Sequence, residues 1–469
     1  MKLYNTLTKK LESLTDDKSK PIKLYTCGPT VYHYAHIGNL RNVIFNDTLR
    51  RALEVADYKV NHVMNITDVG HLVSDADDGD DKLEKGAKRE GKTVWEVADY
   101  YIDAFERHTK ALNVLSPTKI VRATKAIDSQ QEMIKILCGK GYAYQTKQAI
   151  YFDISKLDDY GKLSGQKLAD KEIAVRSEVV TDPDKHHPQD FALWFFTIGH
   201  FADHQMRWDS PWGEGFPGWH LECSAIIHQE LGETIDIHTG GVDHIGTHHT
   251  NEIAQSEAAF GKPLSKIWMH NEFLHSGGGK MSKSGGDTIT LDNIIEKGYD
   301  PLALRLMYLQ SHYRSHAEFS WENLDAAQNR LKNYQALADQ KWQIKAQAKN
   351  LTIVNKLSHF ADNIKGSLSM DLATPAALTA IDELADLNAN ELAMDRSEFQ
   401  KFLDLIDIVF GLNLANRQDI NDQQKRIILD RQKTRNEKNW QSSDELRDQL
   451  KQQGIGLRDS EHGAIWYRS

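Results

Sequence analysis

One short stretch of the sequence, "HIGN" from His36 to Asn39, has the residue types that bind phosphate. It lies where a strand pattern gives way to a helix pattern. Backbone N–H groups and the helix dipole at such a turn attract anions, and Gly38 lets a ligand approach the backbone closely. A histidine there can donate to phosphoryl oxygens as charge develops. By itself this tetrapeptide also fits an ordinary turn.

A second stretch, "KMSKS" from Lys280 to Ser284, is flanked on both sides by glycines. Lys280 and Lys283 in a glycine-rich loop can close over a triphosphate and neutralise the pyrophosphate as it leaves. The alternative is a basic surface loop. A solvated loop needs neither the methionine between the lysines nor the glycine flanks, so we predict a phosphate clamp.

Two cysteines, a histidine and a glutamate form a candidate metal site. Cys27 ends the first predicted strand, Cys223 lies in a predicted helix, and His248 and Glu252 are one helical turn apart on the same face. Two thiolates, an imidazole and a carboxylate suit zinc. Each residue also has a structural explanation, since cysteines are often buried apolar residues and His248-His249 could start a helix. Convergence of these residues at one sheet edge would favour the metal.

The elements that must position these residues follow a βαβ pattern. "KPIKLYTC" predicts a strand, the segment from Ile37 a helix, and "YKVNHVMNITDV" another strand. After residue 216 the same order returns, with "FPGWHLECSAIIHQELG" and "HHTNEIAQSEAAFG" as helices around the strand "ETIDIH". We therefore predict an α/β fold with a Rossmann-type doubly wound parallel sheet, split by an inserted domain at about 116–215.

The sequence pattern predicts helices in the second half of the chain. Asp300 and Pro301 mark a helix start, and segments rich in Ala, Leu, Gln and Asn continue to about residue 412. Basic residues then cluster before a strand-like end, "GIGLRDSEHGAIWYRS".

Composition limits the class of protein. With 57 basic and 67 acidic residues the 469-residue chain has a net charge of −10, which argues against non-specific coating of nucleic acid. Its three cysteines make a poor disulfide framework, and neither a signal segment nor a membrane span is evident. We expect a cytoplasmic protein with no membrane partner. The acidic segment from Ser74 to Asp81 has its glycine misplaced for a calcium loop, so we interpret it as a solvated loop.

Several of these motifs together resemble those of a known protein family. "HIGN" and "KMSKS" resemble the two ATP motifs of class I aminoacyl-tRNA synthetases, and "CGPTVY", "GWHLECS" and "HHTNEIAQ" together resemble the cysteinyl-tRNA synthetase family. The similarity runs from "LYNTLTKK" to the last strand-like segment, so it covers essentially the whole chain.

The resemblance implies a set of site residues. It implies one zinc ion, held by Cys27, Cys223, His248 and Glu252, that recognises the thiolate of substrate cysteine. It implies that Gly28, Thr67 and Trp219 bind the amino acid. It implies catalytic roles for His36, Asn39, Lys280 and Lys283, and ATP contacts from Pro29, His36, Gly38, Asn39, Gly241, Asp243, Lys280, Met281, Ser282, Lys283 and Ser284.

This sequence departs from the family pattern in three places. "HIGT", His244 to Thr247, replaces a bulky apolar and proline run, which makes His244 a second-choice metal ligand or nucleotide contact. "VGHLVSDADDGDD" replaces the usual continuation after Thr67-Asp68. Asn39 replaces the last histidine of the "HIGH" motif, and we expect retained activity with one fewer imidazole donor.

The resemblance also implies the activity and the domain order. The expected reaction is activation of L-cysteine with ATP and Mg²⁺, then transfer to the terminal ribose of tRNA(Cys), by a monomer without an editing domain. Two alternatives are a ligase that joins cysteine to an amino sugar, which would lack the basic C-terminal module, and a catalytically inactive zinc-containing RNA-binding protein. The expected segments are the two Rossmann halves (1–115 and 216–260), the insert (116–215), a stem-contact region with KMSKS (261–312), a helical bundle (313–412) and an anticodon-binding domain (413–469).

Overall fold

A computed structural model describes most of the chain. The described residues are 1–70, 81–165, 182–276, 279–280, 288–343, 351–386, 396–460 and 463–468. The chain divides into two units: the first holds Met1–Lys110, Val114–Leu291 and Tyr313–Ala317, and the second holds Ala111–Asn113, Asp292–His312 and Glu318–Ser469. None of the helices described is both long enough and apolar enough to cross a membrane.

The first unit begins with a hairpin and continues as a βαβ unit. Its elements are β1 (Lys2–Asn5), β2 (Lys10–Ser13), β3 (Ile22–Thr26), α1 (Ile37–Val55), β4 (Val60–Ile66), α2 (Lys82–Glu90), α3 (Val94–Ala111) and β5 (Lys119–Arg122). The strand, helix and strand predicted around "HIGN" are β3, α1 and β4, so that part of the prediction is confirmed. They form because apolar residues recur at the strand and helix periods, and β3 and β4 lie in the middle of the sheet.

A small antiparallel sheet interrupts the parallel one. This insert contains α4 (Ile127–Gly139), β6 (Ala143–Gln145), β7 (Ala149–Phe152), β8 (Phe191–Phe196) and β9 (Gly215–Pro217). The four strands pair in the order β6-β7-β8-β9. Strand β8, "FALWFF", is buried along its whole length, as expected of a strand covered on both faces.

The parallel sheet resumes after the insert. Its second half contains α5 (Trp219–Leu231), β10 (Ile235–Gly241), α6 (His248–Phe260) and β11 (Ser265–Asn271), and the hairpin β12 (Leu274–Ser276) and β13 (Gly279–Lys280) follows. Gly261, with a φ of 68°, ends α6 in the left-handed conformation that glycine adopts without strain.

Strand order shows how the two halves join. The five parallel strands run β11-β10-β3-β4-β5, and β10 pairs with β3 at Ile237↔Leu24. The split, doubly wound parallel sheet is therefore confirmed, and its switch point lies between β3 and β10. A core cluster that includes Tyr25, Cys223 and Trp268 holds the halves together.

Two strands of this sheet lie outside the segments expected for it. β5 falls in the span 116–215 that was assigned to the insert, yet it pairs in parallel with β4 at Val63↔Lys119. β11 falls past residue 260 and pairs in parallel with β10. Both halves of the sheet therefore extend past their expected ends. β5 was missed because it is four residues long and two of its residues are exposed, which leaves almost no apolar pattern.

The second unit is mainly helical. Its elements, the first of which starts at the end of the first unit, are α7 (Leu291–Glu296), α8 (Pro301–Leu309), β14 (Ala317–Phe319), α9 (Trp321–Asp339), α10 (Leu351–Ser369), α11 (Thr374–Asp386), α12 (Arg396–Phe410), α13 (Asp422–Asn436), α14 (Trp440–Gln452), β15 (Ile455–Ser460) and β16 (Gly463–Arg468). Asp300 caps α8 through the N–H of Leu302, as predicted. The strand-like end of the chain forms the antiparallel pair β15 and β16.

Candidate metal and nucleotide site

The structure brings together the four predicted metal ligands. Cys27 follows β3, Cys223 lies on α5, and His248 and Glu252 lie on the first turn and a half of α6. One donor atom from each of the four lies within 4.8 Å of the others, and all four residues are buried. The carboxyl ends of neighbouring parallel strands meet at this edge of the sheet, which is why residues so distant in sequence converge.

Hydrogen bonds occupy one side-chain atom of Glu252 and one of His248, and the second donor atom of each lies close to that of the other. His238 Nε2 bonds to Oε2 of Glu252 at 3.0 Å, and His220 Nδ1 bonds to Nδ1 of His248 at 3.1 Å. The remaining atoms, Oε1 of Glu252 and Nε2 of His248, lie 3.0 Å apart, but Oε1 has no hydrogen-bond partner. Two buried ligand atoms in contact without a hydrogen bond fit a shared cation, and second-sphere bonds of this kind orient metal ligands.

Charge at the site also fits a divalent cation. Burial alone would raise the pKa of the Cys27 thiol, but hydrogen bonding from Cys223 and the nearby imidazoles of His249, His244 and His248 hold it well below its ordinary value. Burial and the neighbouring Cys27 and Glu252 raise the pKa of Cys223 well above its ordinary value. A second thiolate therefore needs a compensating cation, and a Cys₂HisGlu donor set is one that zinc accepts.

The carboxylate and imidazole of the donor group form a charged pair. Burial would raise the pKa of Glu252, but His238 and His248 lower it to about 2. Burial would lower the pKa of His248, but Glu252 and Cys27 raise it to about 10. Ligation of a metal by His248 therefore has to displace a proton.

A second group of donors overlaps the first. Cys27 and Glu252 also lie within 4.8 Å of His238 and His249. His249 bonds through Nε2 to Cys27 Sγ at 3.4 Å and through Nδ1 to His270 Nε2 at 2.8 Å, and His270 Nδ1 bonds to the hydroxyl of Thr6 at 2.8 Å. The rings of His249 and His270 are thus held by hydrogen bonds on both nitrogens.

These additional histidines were not identified from the sequence. His238 lies within β10 and His270 within β11, and both are buried. A polar residue inside an otherwise apolar parallel strand was the available signal, because such residues are buried only with a partner. The second-choice ligand His244 lies at the same site, near Cys27, but belongs to neither donor group.

The predicted amino-acid pocket lies beside the donor group. The Trp219 indole stacks on the His248 ring with centroids 4.5 Å apart. The N–H of Gly28 donates to Oδ1 of Asn65 at 2.8 Å, and the Asn65 amide donates to the hydroxyl of Thr67 at 3.0 Å. A Cβ at Gly28 would lie 1.8 Å from the carbonyl oxygen of Asn65, so only glycine fits there. Trp219 thus contacts a predicted ligand, while Gly28 and Thr67 are joined to each other through Asn65.

A buried carboxylate, Glu222, supports this pocket. Its Oε1 accepts the Asn65 amide at 3.1 Å and also the hydroxyl of Thr67. Glu222 precedes Cys223 on α5 and is 1% exposed. Neither Asn65 nor Glu222 was predicted as a site residue, although Glu222 lies within the "GWHLECS" motif.

The "HIGN" motif caps helix α1. His36 is the N-cap residue, and Nδ1 of its ring accepts the N–H of Asn39 at 3.2 Å, while Oδ1 of Asn39 accepts the N–H of His36 at 3.3 Å. This capping box makes Nδ1 an acceptor, so the ring proton is on Nε2. A Cβ at Gly38 would meet the His36 ring at 2.9 Å. Pro29 precedes the motif and its carbonyl accepts the N–H of Thr67 at 3.1 Å.

Lys280, the first residue of the "KMSKS" segment, is described, whereas Met281, Ser282, Lys283 and Ser284 lie outside the described residues. Lys280 ends β13, where it pairs with His275 across the hairpin. Beyond the segment, Thr290 forms a bridge with His36, and the N–H of Ile37 donates to the carbonyl of Ile289 at 2.9 Å. Ile289 and Thr290, which follow "KMSKS" in the sequence, therefore lie against "HIGN".

The remaining predicted ATP contacts lie at the end of β10. Gly241 is the last residue of this strand and Asp243 is exposed in the turn that follows. A Cβ at Gly241 would lie 2.3 Å from Oδ1 of Asp243, so the carboxylate packs against the glycine. The acidic segment from Ser74 lies outside the described residues except for Asp81, which caps α2 and bonds to His204 Nε2 at 2.9 Å.

Comparison with known proteins agrees with this geometry. Residues 13–329 match the family model described as tRNA synthetases class I (C) catalytic domain. A cysteine–tRNA ligase of Treponema denticola is 40% identical over 99% of this chain and 99% of its own length. Cysteine–tRNA ligase 1 of Burkholderia lata is 41% identical over 98% of this chain and 95% of its own.

Solved structures of lower identity share the fold. The methionyl-tRNA synthetase of Mycobacterium tuberculosis, bound by methionyl-adenylate, superposes with a TM-score of 0.61 at 15% identity, covering 84% of this chain and 93% of that chain. A LeuRS–tRNA–LeuAMS ternary complex from Agrobacterium radiobacter superposes with a TM-score of 0.60 at 11% identity, covering 86% of each chain. At these identities the likeness shows the fold alone.

Proposed function

We propose that this chain, which belongs to the cysteine–tRNA ligases among the class I tRNA synthetases, activates L-cysteine with ATP and transfers it to the terminal ribose of tRNA(Cys). In the first step the cysteine carboxylate attacks the α-phosphate, cysteinyl-adenylate forms and pyrophosphate leaves. In the second step a ribose hydroxyl attacks the activated carbonyl and AMP leaves.

The observation that carries the proposal is the convergence of two sites at the carboxyl ends of β3 and β10. Cys27 and the "HIGN" turn both follow β3, and the loop after β10 leads to the ligands His248 and Glu252 on α6. One site suits a thiol and the other suits phosphate. An enzyme that joins cysteine to a nucleotide needs both within reach of each other.

On the ATP side, the residues act mainly by position and charge. The first turn of α1 presents N–H groups and its dipole, and the capping box assigns the ring proton of His36 to Nε2. We assign to Lys280 and Lys283 the neutralisation of the leaving pyrophosphate, with Mg²⁺ bound to the phosphates. The bridge between Thr290 and His36 supports this, because it places a residue that follows "KMSKS" in the sequence at the phosphate turn.

On the amino-acid side, we propose that Cys27, Cys223, His248 and Glu252 hold one zinc ion. When bound, zinc would accept the substrate thiolate as a ligand, which a serine hydroxyl replaces poorly, and so would select cysteine. Trp219 would close the pocket against the His248 ring, and Gly28 and Thr67 would line it. We therefore expect no editing activity against serine.

The second unit supports tRNA as the acceptor. Both cysteine–tRNA ligases match the chain almost from end to end, including the basic helix α13 and the terminal hairpin β15–β16. An amino-sugar ligase would lack this module. We propose that residues 413–469 read the anticodon and that residues 313–412 form the connecting bundle.

The test is cysteine-dependent ATP–pyrophosphate exchange, measured together with bound zinc. For Cys223→Ser we expect loss of zinc and a fall in the preference for cysteine over serine of at least about a hundredfold, because the metal supplies the discrimination. Cys138→Ser is the matched control, since Cys138 is half-buried in the insert and outside both donor groups. A zinc-free Cys223→Ser protein with full activity and selectivity would refute the assignment.

A further inference from the structure

The imidazole of His244 has no role in the function proposed above. His244 lies in the short 3₁₀ turn between β10 and α6, and its ring is half-buried. Its Nδ1 atom is fully buried and has no hydrogen-bond partner among the described residues. A buried polar atom without a partner is costly, so its position calls for a ligand or a donor role.

His244 and His249 share the space over Gly240. A Cβ at Gly240 would lie 2.6 Å from Nδ1 of His244 and 2.9 Å from Nε2 of His249. That same His249 nitrogen bonds to the Cys27 sulfur. The backbone of Cys27 is adjacent as well, because its N–H donates to the carbonyl of Thr239. The missing side chain of Gly240 thus makes room for two imidazoles beside one thiol.

The His244 ring lies near the Cys27 thiol and against Trp219 of the predicted amino-acid pocket. Burial would lower the pKa of His244, but the neighbouring Cys27 thiol and Asp243 raise it above its ordinary value. The ring meets the Trp219 indole edge to face with centroids 6.3 Å apart and lies 5.1 Å from the His248 ring. His244 therefore lies beside both the donor group and the Trp219 indole.

A hydrogen-bond donor at the position of His244 would offset part of the negative charge of the site. Two thiolates and one carboxylate around a divalent cation leave a net negative charge, and substrate cysteine adds another thiolate. A neutral N–H donor on a bound thiolate withdraws charge from its sulfur without adding a proton to the site. Such a donor reduces the repulsion that the incoming thiolate meets.

We propose that His244 is a positioning residue of the cysteine pocket, whose Nδ1–H donates a hydrogen bond to the sulfur of Cys27 and thereby strengthens binding of the substrate thiolate. This inference rests on the proposed metal site. It does not make His244 a metal ligand, since neither four-donor group includes it.

The experiment uses the full-length protein loaded with Co²⁺ in place of zinc. Sulfur-to-cobalt charge-transfer absorption reports hydrogen bonding to the thiolates, and cysteine added without ATP is the titrant. His244→Leu removes the donor, whereas His244→Asn keeps an N–H near the position of Nδ1. His200→Leu, an exposed histidine of the insert, is the control for the substitution itself.

For His244→Leu we expect one bound cobalt, a charge-transfer band at lower energy, and cysteine affinity weaker by about tenfold, the usual loss of a hydrogen bond to a charged acceptor. His244→Asn restores both readouts, and His200→Leu changes neither. An unshifted band in His244→Leu overturns the proposal. Loss of cobalt from that variant also overturns it, because His244 would then be a ligand. A wild-type protein without any charge-transfer band would instead contradict the metal site of the proposed function.

Discussion

His36 and Asn39 cap helix α1 reciprocally, each accepting the backbone N–H of the other through its side chain. The proposed function gives this one imidazole two tasks. Nδ1 satisfies a helix N–H that would otherwise lack a partner, and Nε2 carries the proton that can meet a phosphate oxygen. Asn39 completes the cap through its carbonyl oxygen, which the histidine of the common motif does not possess.

The two tasks of His36 can be separated by substitution. In His36→Asn the side chain still caps the helix but has no Nε2–H, so we expect stability within about 0.5 kcal/mol of wild type and a loss of pyrophosphate exchange of about a hundredfold. In Asn39→Ala we expect a stability loss of about 1 kcal/mol from the broken capping box. Urea unfolding and exchange kinetics are the measurements. A fully active His36→Asn enzyme would show that Nε2 does not act in the reaction.

Asn65 holds the predicted pocket together. Its side-chain oxygen accepts the N–H of Gly28, and its amide donates to Thr67 and Glu222; all three residues lie in or beside the predicted pocket. For Asn65→Ala we expect a stability loss of about 1–3 kcal/mol from the unpaired buried groups, and a raised KM for cysteine because Gly28 is no longer held. Asn61→Ala on the same strand controls for strand propensity. An unchanged KM at lowered stability would make Asn65 purely structural.

We expect the stability of the protein to depend on pH because His62 is buried. Burial lowers its pKa to about 3, while an unfolded chain holds the histidine at its ordinary value near 6.5. Between these values the unfolded state binds the extra proton, so stability is full above about pH 6.5 and falls as the pH drops towards 3. At pH 5 this difference in pKa lowers the free energy of unfolding by roughly 2 kcal/mol.

The test for His62 compares unfolding free energies at pH 7.5 and pH 5. His62→Gln can keep the hydrogen bond that His62 Nε2 makes with Thr26 Oγ1 at 2.9 Å but cannot titrate, so it should lose less stability between the two pH values than wild type does. Other titrating groups are common to both proteins and cancel in the difference. Equal losses in the two proteins would show that His62 is already solvated in the folded state.

The terminal module depends on one buried guanidinium. Arg431 of α13 is 1% exposed and forms a two-point hydrogen bond with Asp459 of β15, at 2.6 and 3.0 Å. For Arg431→Leu we expect a stability loss of about 2 kcal/mol in the second unit, and a larger fall in tRNA charging than in pyrophosphate exchange. Arg426→Leu, exposed on the same helix, controls for stability. Equal falls in the two activities would contradict a separate tRNA-reading module.

Local patterns predicted much of the fold. The helices α1, α5 and α6 and the strands β3, β4 and β10 follow from periodicity and from punctuation such as Gly261, because these signals act within a few residues. β5 and the boundaries that depend on it could not be predicted, since a short strand with exposed residues is recognised only by its neighbour β4.

The candidate site was predicted in part for a similar reason. Helical spacing places His248 and Glu252 on one face, and the strand order brings Cys27 to them. The surrounding imidazoles of His238 and His270 depend on which face of a strand turns inward and on its register with the next strand. The sequence alone does not specify these properties.

The pairing of β3 with β10 also sets the order in which the molecule can assemble. Leu24 and Ile237 are sheet neighbours although the whole insert separates them, so β3 stays incomplete at one edge while the intervening chain is synthesised. Cys27 is made early, but its partners on α5 and α6 emerge much later. Under the proposed function, metal capture therefore comes late in the folding of the first unit, and a nascent chain that stops before α6 carries the thiols of Cys27 and Cys223 without the donors His248 and Glu252.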